Sequence, residues 1–209
     1  TPIVSLPTSK EINLNNNIFQ SLPPVELQRE LMFRHVDSLI LQDPDPCVMI
    51  IYDTSTENVK EELLKRFPYA ELIDTDLTMG LVDPEITDSL LVEQKNNLVF
   101  LESQNLNIIT SVSSLLNSQI SKERKINMLS SYRSETYENE NISFQHLGNL
   151  KFTYPTYFYP KYDEELNELN DLFFENFGKL PNKIVIRAYE ITLDLILRSA
   201  FRRKLVKSI

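Results

Sequence analysis

The run Val48-Met49-Ile50-Ile51-Tyr52, closed by Asp53-Thr54-Ser55-Thr56-Glu57, decides how the rest of the chain is read. Consecutive apolar side chains without polar alternation suit a strand covered on both faces, the condition of a parallel sheet, rather than a strand with one wet side. Asp53 and Thr54 end the run, and Thr54 with Glu57 stands at capping-box spacing. The helix that follows points Val59, Leu63, Leu64 and Phe67 inward and stops before Pro68. Ala70 to Ile73 then supplies a second short strand, which completes a βαβ unit.

The cycle repeats outward. Downstream, a helix over 86–94 opens after Asp83-Pro84, and Leu98-Val99-Phe100-Leu101 forms a third strand closed by Glu102 and Ser103. Leu106, Ile109, Val112, Leu116 and Ile120 recur at helical spacing, Ile126 to Leu129 is a fourth strand, and Leu150 to Tyr154 is a fifth, stopped by Pro155. Upstream, Pro23 and Pro24 suit the first turn of a helix whose stripe is Leu27, Leu31, Val36, Leu39 and Ile40. Two helices close the chain. Leu166, Leu169, Phe173 and Phe177 line the first, with Gly178 placed for a left-handed terminus. The second starts near Pro181-Asn182, and its apolar residues from Ile184 to Ile196 cover more than one face, which predicts deep packing. The fold class is therefore α/β: a three-layer α/β/α lobe with a mostly parallel five-stranded sheet.

Composition narrows the function. A chain of 209 residues with 42% hydrophobic content can build a substantial core, but three Gly leave little material for phosphate-cradling loops, and no such motif is present. A net charge of −9 argues against nucleic acid as a partner. Arg198, Arg202, Arg203, Lys204 and Lys207 read as a cationic helix end. Cys47 is the only cysteine and opens an apolar run, so neither a disulfide framework nor a cysteine zinc site is available. His35 and His146 stand in no metal-ligand spacing, and no metal or cofactor is expected. No apolar stretch reaches transmembrane length. The chain opens on Thr1-Pro2-Ile3-Val4, which reads as a strand already inside a domain, so a fragment of a longer protein is expected.

An ordered series of segments carries a resemblance. It runs from Asn17-Ile18-Phe19-Gln20-Ser21-Leu22-Pro23 through Leu63-Leu64-Lys65-Arg66-Phe67-Pro68 and Ser113-Ser114-Leu115-Leu116-Asn117-Ser118 to His146-Leu147-Gly148-Asn149-Leu150-Lys151-Phe152-Thr153-Tyr154-Pro155. Phe177-Gly178-Lys179-Leu180-Pro181 and Ile186-Arg187-Ala188-Tyr189-Glu190 end it. Over roughly residues 12–200 the chain resembles type I periplasmic binding proteins, in particular the branched-chain-amino-acid-receptor-like domain of Bacteroidetes envelope proteins that accompanies LysM repeats. Glu190 departs from the Asp that usually follows the aromatic residue there. The resemblance implies that residues 1–22 are a remnant of a first lobe with its crossover, and that residues 23–209 are a second-lobe α/β domain. It also implies that the rest of the first lobe lies outside this chain. The expected setting is the periplasm or cell envelope. The expected role is non-catalytic recognition of a ligand or partner, in association with peptidoglycan. A receptor for amino acids or small peptides feeding an ABC transporter is the alternative, and an envelope hydrolase the second alternative. The partner is then an amino acid, a peptide or an envelope protein or glycan.

In a parallel sheet, ligands sit beyond the carboxyl ends of the strands. There the sequence offers Asp53, Thr54 and Ser55, then Glu102, Ser103 and Gln104, then Ser131, Tyr132 and Arg133, and finally Tyr154. Arg133 could pair a carboxylate and the hydroxyls could orient a ligand. The plainer reading makes Thr54, Ser55 and Ser103 helix caps and Tyr132 and Arg133 ordinary loop residues. Asp53 with Glu102 is a conceivable acid–base pair, but no nucleophile or elbow motif accompanies it, and no catalytic residue is assigned. Tyr157, Phe158 and Tyr159 form an aromatic run that serves either as an interaction surface or as a cover for the core.

Overall fold

The structure is a computed structural model and describes residues 3–4, 18–20, 22–75, 82–156 and 165–201. In chain order the elements are β1 (Ile3–Val4), β2 (Ile18–Phe19), α1 (Val25–Gln42), β3 (Cys47–Tyr52), α2 (Glu57–Arg66), β4 (Glu71–Asp74) and α3 (Pro84–Leu90). There follow β5 (Asn96–Glu102), α4 (Leu106–Ser118), β6 (Lys125–Leu129), α5 (Phe144–Asn149), α6 (Glu165–Phe177) and α7 (Lys183–Phe201). By their internal contacts they fall into two compact units, one of Thr1–Val25 with Tyr157–Ile209 and one of Glu26–Thr156.

The unit of Glu26–Thr156 is an α/β sandwich around a four-stranded parallel sheet of order β4-β3-β5-β6. Successive side chains of a strand point to opposite faces, and this alternation sorts the core into two. Met49, Ile51, Val99, Leu101 and Met128 pack with Ile108, Ile109, Val112 and Leu116 of α4 and with Leu147 and Leu150 at α5. Val48, Ile50, Leu98, Phe100 and Leu129 pack with Met32 and Val36 of α1 and with Val59 and Leu63 of α2 and Phe67 beyond it. Burial on both faces is why β3, β5 and β6 read as apolar runs, whereas the edge strand β4 buries only Ile73. Asn97, buried at the start of β5, fixes the approach to the strand. Its Oδ1 accepts from Val92 N at 2.8 Å, while its Nδ2 donates to the carbonyls of Val92 and Lys125, each at 2.9 Å.

Four sequence-based expectations need correction. The fifth strand, expected over Leu150 to Tyr154, is a single parallel bridge from Thr153 to Leu129 on the β6 edge, so the sheet has four strands. The reason is local. Leu150 still closes α5, Lys151 turns left-handed at φ 48°, and Pro155 follows, so only Phe152-Thr153 remains to run beside β6. The stripe of α1 departs from the expected one over its first half: Leu27 and Leu31 are exposed, while Gln28, Arg29 and Met32 are buried, and the expected Val36, Leu39 and Ile40 do pack on the core. The capping box is Asp53 with Thr56, around a short 3-10 turn, and not Thr54 with Glu57. α7 is not deeply packed, since Ile184, Tyr189, Leu193, Ile196 and Leu197 are all exposed, because its apolar circumference exceeds what one packing layer covers. In the same unit Gly178 does take the left-handed terminus of α6, at φ 67°, its N–H donating to Phe174 O at 2.8 Å.

The end of α5 is a Schellman motif, with Phe152 N donating to Leu147 O at 2.9 Å and Lys151 N to Gly148 O at 3.0 Å. Its left-handed residue is Lys151, where Gly is free of Cβ strain. Lys151→Gly should raise unfolding stability by about 0.5–1 kcal/mol, read as a higher urea midpoint at unchanged slope. A lower midpoint would contradict the left-handed geometry.

Candidate functional site

The carboxyl ends of β3, β5 and β6 meet in a buried polar network. Asp53 leaves β3 in extended conformation and is almost wholly buried, and its Oδ1 accepts from Ser55 N at 2.8 Å and from the Ser55 hydroxyl. Its Oδ2 accepts from Ser103 Oγ at 2.6 Å, which ties β3 to the end of β5. Thr56 Oγ1 donates to the Glu102 carbonyl at 2.6 Å and accepts from Asp53 N at 3.2 Å. Ser103 is thus not the cap of α4. Its Oγ accepts from Asn105 N at 3.0 Å, and Asn105 does the capping.

Glu102 ends the central strand β5 with no exposed surface. Its Oε1 accepts from Ser131 N at 2.7 Å, and its Oε2 lies 3.0 Å from Ser131 Oγ. Burial pushes the carboxyl up to about 8, opposed by the two Ser131 hydrogen bonds and by the nearby positive charge of Arg29. When Glu102 is protonated, Oε2–H can donate to the same serine hydroxyl, so either form keeps a partner. Arg29 comes from the buried face of α1 and pairs with Glu62 of α2. Sequence reading missed it because an Arg on an amphipathic helix has no signal that distinguishes a buried cation from a surface one.

Tyr132 and Tyr137 stand behind this network. The Tyr137 hydroxyl donates to Ser130 Oγ at 3.0 Å, and Ser130 Oγ donates in turn to the Tyr132 carbonyl at 3.1 Å. Burial raises the pKa of both phenols, with the Glu102 charge adding to it. Among the described residues the buried Arg29 Nε and Tyr132 hydroxyl have no hydrogen-bond partner, with Gln104 the side chain that approaches the phenol. Among the other residues named from sequence, Thr54 is exposed and Arg133 is engaged by Glu138. Tyr157, Phe158 and Tyr159 lie outside the described residues. The Cys47 thiol donates to Leu90 O at 3.4 Å, and burial, reinforced by Glu71, raises its pKa, which suppresses the thiolate a nucleophile needs.

Tyr154 takes part in a different arrangement. Its ring stacks 5.3 Å from that of Phe152 and 5.8 Å from that of Tyr137, and the Phe152 and Tyr137 rings meet edge-on at 4.7 Å. Beside this cluster lies an open concavity of about 280 Å³, lined also by Phe144, Leu147, Gly148 and Lys151. The strand-end network and the concavity differ in character: the first is buried and largely bonded within itself, the second is open and mostly apolar, and Tyr137 touches both, with its hydroxyl on Ser130 and its ring in the lining.

In comparison with known proteins, no family model, no curated protein and no solved structure matches the chain.

The Glu102 carboxyl has a consequence for stability. The folded chain holds its proton up to about pH 8, whereas the unfolded chain releases it near the ordinary value of 4.5. Between those values the folded state binds more protons, so stability falls as pH rises through the window, at most about 1.4 kcal/mol per pH unit. Below it the penalty is absent, and above it the penalty is complete. Glu102→Gln keeps an acceptor for Ser131 N and removes the titration. The melting temperature of the variant should be flatter than that of the parent between about pH 5 and 8, and higher at the alkaline end. Parallel profiles would mean that Glu102 does not hold its proton.

Proposed function

We propose that this chain is a non-catalytic recognition domain of a bacterial cell-envelope protein, a type I periplasmic-binding-protein-like lobe associated with peptidoglycan. On this reading the segment from Leu150 to Tyr154 is the lobe's fifth strand, reduced to an edge. The observation that carries the non-catalytic role is the state of the strand-end carboxylates. Asp53 is bonded by Ser55 and Ser103, and Glu102 by Ser131 within a fully buried site. A general acid or base has to reach the proton it moves. These two carboxyls are directed to neighbouring protein groups and serve to close the sheet's end.

A second reading, a receptor for amino acids or small peptides, draws on one specific observation: the unmet hydrogen-bonding capacity of Arg29 Nε and the Tyr132 hydroxyl at that same end. A ligand carboxylate is the kind of group that would use both.

Two measurements on the purified chain separate the readings. Co-sedimentation with isolated peptidoglycan sacculi, without release of soluble fragments, is the expected outcome. A panel of non-aromatic amino acids and dipeptides at millimolar concentration should leave the melting temperature unmoved. A ligand at a hundred times its Kd would stabilise the fold by about 2.7 kcal/mol, a shift of several degrees, and such a shift without co-sedimentation would transfer the role to the receptor reading. Turnover of sacculi abolished by Asp53→Ala would overturn the non-catalytic assignment.

A further inference from the structure

The concavity beside α5 is bordered by two residues that each run against local preference. Gly148 is a helical residue in the last turn of α5, where Ala is the better helix former, by at most about 1 kcal/mol. Packing does not require it: a Cβ built there meets nothing within 4 Å. Lys151 holds the left-handed position at φ 48°, where Gly carries no Cβ penalty. Both line the same open space. Local choices that disfavour the fold and have no packing reason mark functional surface. What they do there follows from their chemistry: Gly148 keeps the concavity clear, and Lys151 places a cation at it.

The remaining lining defines what fits. Phe144, 63% exposed, and the half-buried rings of Phe152 and Tyr154 offer aromatic faces, and Leu147 adds an aliphatic side chain. The one carboxylate in the lining, Glu138, is paired with Arg133. Lys151 makes no ion pair among the described residues. The charge left at the site is therefore positive. A glycan would call for several side-chain hydrogen-bonding groups around an aromatic platform, whereas here apolar surface predominates with a single cation. We propose that the concavity binds a small aromatic carboxylate, its ring against Phe144, Phe152 and Tyr154 and its carboxylate on the Lys151 ammonium. A volume of about 280 Å³ suits a one- or two-ring acid. The inference rests on the recognition role proposed above and names a ligand class for it.

The test uses phenylacetate and indole-3-acetate as probes, with phenylacetamide as the neutral counterpart, and reads binding by calorimetry and by saturation transfer to the ligand. Two variants accompany the parent chain. Lys151→Gly relieves the left-handed strain, and Gly148→Leu projects a side chain into the open space, so both should fold at least as well as the parent, which circular dichroism and melting confirm. Expected are saturable binding of both acids, weaker binding of the amide, a loss of about two- to fivefold in affinity in Lys151→Gly, and no detectable binding in Gly148→Leu. Equal affinity for acid and amide, or unchanged affinity in either variant, overturns the site, as does the absence of saturable binding in the parent. The two proposals fail separately. Co-sedimentation with sacculi alongside silence towards the acids removes the ligand class and keeps the recognition role. Acid binding without co-sedimentation removes the peptidoglycan association and keeps the site.

Discussion

Everything in the sandwich depends on how the parallel sheet ends. The covered strands β3, β5 and β6 must resolve, at their carboxyl termini, the polar groups of chains turning away into helices, and they must do so largely out of reach of water. Here the solution is a set of short side chains that bond across strands. Ser103 reaches back from β5 to Asp53 after β3, Thr56 holds the Glu102 carbonyl, and Ser131 after β6 holds the Glu102 carboxyl. A buried polar network of this kind is favourable only when its members are satisfied. That condition fixes the register of three strands at once, and with it the positions from which α2 and α4 depart.

The same network explains why a site sought at the strand ends looked richer in sequence than it is in the fold. Asp53, Ser103 and Glu102 are polar residues in the location where α/β proteins bind ligands. Sequence cannot tell whether such residues face a cleft or each other. The answer depends on Thr56, Ser131 and Arg29, which carry no motif. β3, β5 and β6 were legible because double burial leaves an apolar run, and the short edge strand β4 falls within one residue of the segment expected from Ala70 to Ile73. The face that the first half of α1 buries was not legible. An apolar stripe through Leu27 and Leu31 is a sound reading of periodicity, yet the buried charge of Arg29 turns that end of the helix towards the polar strand ends instead. The apolar run from Leu150 to Tyr154 misled for a related reason: helix α5 extends into it, and the Schellman turn removes the residues a strand would need.

Gly148 and Lys151 show a complementary limit. Each is unremarkable in the sequence, since a Gly-Asn pair near a helix end and a lysine before an aromatic residue are both ordinary. Only backbone conformation and the empty volume around them make them exceptions. Local conformational preference, and not conspicuous chemistry, is the quantity that picks them out.

The division of the core by strand parity reaches beyond packing. Met49 and Ile51 answer to one helical layer, Val48 and Ile50 to the other, and the backbone of β3 is the only material between them. Residues without shared partners contribute nearly additively to stability. A substitution in the layer of α4 and α5 is therefore felt little in the layer of α1 and α2, and the reverse holds equally. Either side of the sheet can be repacked while the other keeps its fit.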